Sequence, residues 1–155
     1  RQDVADPEHI VSWQRLDART TTSGRLVPED VTALAEIGVR HVINLALEDS
    51  PGALADEAEL IARAGLRYTH IPVPFDAPDD RHYRAFRAAY LAENGPVHVH
   101  CIMNYRVSAF FYRHNLECGM AELDARALME RQWSPETNGQ KDAAVWAQFI
   151  AKGGS

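Results

Sequence analysis

Short apolar, β-branched runs alternate along this chain with stretches whose apolar residues recur at helical spacing. The first pattern is that of buried strands and the second that of amphipathic helices. Strands are read at 39–47 (VRHVINLAL), 66–73 (LRYTHIPV) and 97–100 (VHVH), and a β-prone TTT lies within 14–22. A helix is expected over 28–37, where Pro28 takes the first helical position, acids fill the first turn and Gly38 stops it. Another is expected over 53–64, with Leu54, Ala58 and Ile61 on one stripe and Gly65 at its end. Further helical patterns occupy 80–92, 107–117, 121–132 and 140–151, punctuated by Asn94-Gly95-Pro96, by Gly119 and by SPETNG at 134–139. A short helix is expected over 7–13. Strands alternating with helices predict an α/β fold, a mostly parallel central sheet flanked by helices, with its functional crevice at the carboxyl ends of the strands. We read residues 1–155 as a single domain, with a core over about 14–118 and a helical extension over about 120–152.

The strand at 97–100 delivers Cys101, and Arg106 follows five positions later as a helical pattern begins. The first turn of a helix leaves main-chain N–H groups without partners and carries partial positive charge, so a turn at its start gathers donors for an anion. The same donors and a nearby guanidinium pull a thiol down from about 8.5 toward the thiolate. A guanidinium can also bind two oxygens of phosphate or sulfate at once. This points to Cys101 as nucleophile and to Arg106, with the backbone amides of Ile102, Met103, Asn104, Tyr105, Arg106 and Val107, as the anion site. His100 is expected beneath the loop, donating a hydrogen bond to it. Ser108 is expected either to assist thiolate departure or to satisfy the first helical turn, and Asn44, at a strand end, to buttress the loop.

HCIMNYRVS resembles the signature loop of the cysteine-based tyrosine and dual-specificity phosphatases, in which His-Cys, a glycine-containing turn, Arg and Ser or Thr follow one another. That family places one more residue between Cys and Arg than the four seen here, and commonly has Gly where this chain has Asn104, a residue that tolerates positive φ. The blocks SGRLVPEDVTALAEIGVRHVINLAL, GLRYTHIPVPFDAP and VHVHC, in that order, resemble a bacterial phosphatase-like branch related to the dual-specificity group, over about residues 20–117. The resemblance implies a phosphomonoester hydrolase working through a phosphocysteine intermediate on a phosphotyrosine-type protein or a small molecule. It also implies an aspartate that protonates the leaving oxygen. Asp76, 25 residues before Cys101, fits that place, with Asp79 and Asp80 close behind; Asp79 reads first as the cap of the next helix. The loop residues IMNY include no lysine, which weighs against highly charged lipid headgroups. Two alternatives stand beside this reading. The spacing of four also resembles rhodanese-type sulfurtransferases, and a shortened loop is compatible with a protein that binds phosphate without turning it over.

Composition narrows the picture further. A chain of 155 residues buries about 70% of its unfolded surface without disulfides or metals. A net charge of −6 opposes nucleic-acid and anionic-membrane partners, and no apolar run approaches the ~20 residues of a membrane span. The expected partners are therefore a phosphorylated substrate and a phosphate or sulfate anion. Cys101 and Cys118 are the only cysteines and suggest no disulfide framework, and the histidines lack metal-site spacing, so no metal and no cofactor are expected. A cytoplasmic site is slightly favoured, and a start at Arg1 rather than Met is compatible with processing or with removal of an export signal.

Overall fold

A computed structural model describes residues 5–152. Its five-stranded sheet consists of β1 (Gln14–Arg15), β2 (Thr20–Ser23), β3 (His41–Asn44), β4 (Arg67–His70) and β5 (Val97–His100), in the order β1-β2-β5-β3-β4. Only the β1–β2 pair is antiparallel. The helices are α1 (Pro28–Glu36), α2 (Glu57–Arg63), α3 (Asp80–Ala92), α4 (Tyr105–Glu117), α5 (Glu122–Glu130) and α6 (Ala143–Ala151). The α/β architecture with a mostly parallel sheet is the expected one.

β5 lies between two parallel partners, with Ser23 and Asn44 both in register with His100. The loops that leave β2, β3 and β5 therefore gather at one edge of the sheet. Alternation along β5 sends Val97 and Val99 into one apolar cluster with Phe86, Phe110, Trp146 and Phe149, drawn from α3, α4 and α6. His98, paired with Val42, faces the other layer, where Val31, Leu34 and Ile61 of α1 and α2 pack with Val42. Complete burial of each such apolar side chain contributes about 1.5–3 kcal/mol. The helices after residue 119 belong to this interior, since Ala125, Met129, Trp133, Trp146 and Ile150 join the cluster around β5.

Three expectations are corrected. Residues 7–13 form turns rather than a helix. Ile10 N and Trp13 N each donate only three residues back, to Pro7 O and Ile10 O, and Ser12 takes a left-handed conformation (φ 54°), so no i to i+4 ladder forms. The helix expected from 53 begins at Glu57, because Asp56 takes a left-handed conformation (φ 57°) that a continuing helix excludes. The strand expected over 39–47 ends at Asn44, whose side-chain oxygen accepts from Ala46 N at 2.9 Å and turns the chain.

Candidate active site

Cys101 leaves the end of β5 and α4 starts at Tyr105, so the connection is very short. Asn104 closes it with φ 66° and ψ 10°, a left-handed step that Asn adopts more readily than most residues. This is how the shortened spacing is accommodated: the helix starts early and Arg106 lies in its first turn. Asn104 is fully buried, and its amide nitrogen donates to Ser12 O at 2.9 Å and to Thr22 Oγ1 at 3.0 Å. Ser108 Oγ donates to Asn104 Oδ1 at 3.1 Å, so in this arrangement it braces the turn. The Asn44 side chain holds Tyr68 OH and Ala46 N instead of the loop.

The carbonyls of this turn are pinned by donors around it. Cys101 O accepts from His100 Nδ1 at 3.1 Å, Ile102 O from Arg25 N at 2.9 Å, Asn104 O from Ser108 N at 3.0 Å and Tyr105 O from Trp133 Nε1 at 3.0 Å. In a planar trans peptide the following N–H points opposite to its carbonyl, which turns these amides toward the cavity. From Ile102 to Val107, none of the six main-chain N–H groups donates to a protein acceptor among the described residues. Gly24 makes the close approach possible, because a Cβ there would stand 2.4 Å from Ile102 O.

A cavity of about 410 Å³ opens over the turn, lined by Arg25, Leu47, Ser50, Pro51, Phe75, Cys101, Ile102, Met103, Tyr105, Arg106 and Gln140. It contains two guanidiniums and no carboxylate. Cys101, at 1% exposure, forms part of its floor. Arg106 is buried, donates from Nη1 to Val73 O at 2.9 Å, and lies 5.9 Å from the ring centre of Phe75. That contact leaves the rest of the fork toward the cavity it lines. Tyr105 stacks on Trp133 with ring centres 4.4 Å apart, and Trp146 Nε1 donates to Phe75 O at 2.6 Å. Arg25, Gln140 and the two tryptophans were not singled out from the sequence; their roles depend on acceptors and walls brought from distant segments.

The three aspartates separate clearly. Asp76 is exposed on the turn at 74–77, next to the wall residue Phe75. Asp79 caps α3, accepting from Arg81 N at 2.8 Å, and that main-chain bond holds its carboxyl below the usual range. Asp80 pairs with Arg113 Nη1 at 2.9 Å, which likewise lowers its carboxyl. A proton donor must hold its proton at the working pH, which disfavours both.

Two histidines lie side by side beneath the turn, ring centres 6.2 Å apart. His98 is fully buried between hydroxyls, Nδ1 at 2.8 Å from Thr21 Oγ1 and Nε2 at 2.8 Å from Ser23 Oγ. Since Ser23 Oγ donates to Gly24 O, His98 Nε2–H donates to Ser23 and the ring is neutral. Burial first, and His100 second, hold His98 well below the usual histidine range. His100 instead meets a carboxylate, with Nε2 2.6 Å from Glu57 Oε2, both side chains buried. Glu57 escaped the sequence reading.

Residues 14–113 match the family model described as beta-lactamase hydrolase-like protein, phosphatase-like domain. The match covers most of the chain, and the chain belongs to that family. Among solved structures it is similar to a DUF442 protein from Shewanella putrefaciens CN-32, assigned as a phosphatase, at 28% identity and TM-score 0.81, covering 97% of this chain and 98% of that one. It shares its fold with a Cys-to-Ser variant of TpbA from P. aeruginosa in complex with pTyr, at 19% identity and TM-score 0.69, covering 97% and 91% of the two chains. It also shares its fold with the Siw14 catalytic core, at 15% identity and TM-score 0.71, covering 97% and 88%. No curated protein matches the sequence. No described helix is long and apolar enough to cross a membrane.

Proposed function

We propose that this chain is a cysteine-dependent phosphatase acting on phosphotyrosine-type protein or small-molecule monoesters, with the described residues forming one catalytic unit. The observation that carries the reading is the ring of six free main-chain N–H groups around Cys101, completed by Arg106 at the same cavity. Such a ring matches the oxygens of a phosphoryl group and favours the charge that builds on them in the transition state. In the proposed cycle the Cys101 thiolate attacks phosphorus, an S–P bond forms and the ester P–O bond breaks. The leaving oxygen takes its proton from Asp76. Water, deprotonated by Asp76, then attacks phosphorus, the S–P bond breaks toward sulfur, and phosphate leaves with the thiolate restored. The aromatic walls Phe75 and Tyr105 suit a flat aryl leaving group, as does the pTyr bound by the similarly folded TpbA.

The test is hydrolysis of an aryl phosphate by the wild type and by Cys101→Ser. Loss on the order of 10⁴-fold or more is expected, together with a wild-type thiol that alkylates well below pH 8. Unchanged turnover in the variant sinks the covalent mechanism, and sulfur transfer from thiosulfate without phosphate release replaces it with the sulfurtransferase reading.

A further inference from the structure

We propose that Glu57, on α2, is a positioning residue for the anion-binding turn, acting through His100. The proposal rests on the reading of that turn given above and deepens it.

A carbonyl can only accept a hydrogen bond, so His100 Nδ1, 3.1 Å from Cys101 O, carries a hydrogen. The opposite ring nitrogen faces Glu57 Oε2 at 2.6 Å, and one proton is shared along that line. Glu57 thus fixes which nitrogen points where. With Glu57 removed, only the Cys101 carbonyl still favours a hydrogen on Nδ1, and the competing neutral form, with a bare Nδ1, aims a lone pair at that carbonyl. The peptide between Cys101 and Ile102 then loses its hold, and the Ile102 N–H, first in the ring of donors and adjacent to the sulfur, loses its aim. The fold provides this contact deliberately placed in space: alternation along β5 turns His100 toward the α1/α2 layer, and the left-handed Asp56 starts α2 where Glu57 faces inward at 7% exposure.

Glu57 also borders a second hollow of about 450 Å³ with Asn44, Glu48, Asp56, Glu59, Tyr68 and His70. The remaining charged or titratable groups around the pair and the sulfur are Arg106 from α4, Arg25 after β2 and His98 on β5. Tyr68 on β4 also meets the Glu57 carboxylate and is held by Asn44 Nδ2, so it is a change shared by Glu57→Ala and His100→Ala that reports the Glu57–His100 contact.

Three readouts test the proposal: the pH profile of Cys101 alkylation by iodoacetamide, the Ile102 amide shift on titration with inorganic phosphate, and kcat/KM for an aryl phosphate. Glu57→Ala is expected to raise the alkylation midpoint by about one pH unit, to shrink the Ile102 response, and to lower kcat/KM about tenfold to a hundredfold. Glu57→Gln recovers most of each loss, because its amide N–H donates to Nε2 and keeps the hydrogen on Nδ1. His100→Ala reproduces the losses of Glu57→Ala, and the double variant adds nothing further. The proposal is overturned if Glu57→Ala melts earlier yet leaves the midpoint and the Ile102 shift in place, or if the double-variant losses multiply. Should Glu57→Ala not fold, nitrogen shifts of His100 in the wild type decide, and a bare Nδ1 overturns it. If the phosphatase reading alone is wrong, the wild type turns over no ester while Ile102 still responds to phosphate and Glu57→Ala still weakens that response. A wild-type Ile102 amide indifferent to phosphate sinks the proposal itself.

Discussion

The turn at 101–106 and the turn at 74–77 stand on either side of the same cavity and are built in opposite ways. In the first, carbonyl after carbonyl is pinned by a donor from around it, and the one left-handed residue is locked by three side-chain hydrogen bonds. In the second, Asp76 is exposed, and no hydrogen bond or ion pair holds its carboxylate among the described residues. Under the proposed function, the difference divides the work. Binding a phosphoryl group and stabilising charge on it require donors fixed before the substrate arrives, since reorganising them during reaction costs rate. Delivering a proton requires reach only once the leaving oxygen is in place. A rigid anion cradle beside a loosely held acid is the expected division.

The largest effect after loss of the sulfur is expected on the rigid side. Arg106→Lys keeps the charge but loses the fork and its bond to Val73 O, so kcat/KM should fall about 10²–10³-fold for every ester tested, whatever its leaving group. If Lys serves nearly as well, the site recognises charge alone and the geometric account of the cradle fails. On the loose side, Asp76→Asn should cost about 10²-fold for an ester with a poor leaving group such as phenyl phosphate, and little for p-nitrophenyl phosphate, which needs no proton. Equal losses on both esters would assign Asp76 a part in holding the loop and remove it as the acid.

The same contrast separates what was legible in the sequence from what was not. The strand at 97–100 and the helix at 80–92 were readable because their signals are local: an alternating Val run opened by Gly95-Pro96, and an Asp cap followed by helical spacing. Cys101 and Arg106 could be placed together because a strand end and a helix start converge within six residues. Glu57 was hidden because its partner lies 43 residues away: helical spacing puts 57 beside Leu54 and Ile61 on the buried stripe, but a single acidic residue there does not name the group it meets. The helix expected at 7–13 failed for a related reason: Ser12 is left-handed, and its carbonyl serves Asn104 from a distant segment. Tertiary hydrogen bonds leave no periodic trace, and the tryptophans whose N–H groups hold Tyr105 O and Phe75 O show it again.

The smallest effect concerns what lies under the rigid turn, where His98 and His100 share one strand and one face but are treated differently. His100 faces the Glu57 carboxylate at 2.6 Å, whereas His98 is enclosed by hydroxyls and kept neutral by burial. His41 and His114 are also lowered, chiefly by burial. For these groups the unfolded chain takes up protons near pH 6.5 that the folded protein refuses, so stability is complete above that value and falls as pH drops through it. The lowered carboxyls of Glu93 and Asp80 act in a separate window, losing their contribution only near and below the ordinary carboxylate range. Urea unfolding between pH 8 and pH 5.5 should therefore show a declining limb, approaching about 1.4 kcal/mol per pH unit for each proton excluded. His98→Gln should be less stable throughout but lose the share of that slope due to His98. If the slope survives the substitution unchanged, the neutral ring beneath the turn is not its source, and the difference drawn between the two neighbouring histidines does not hold.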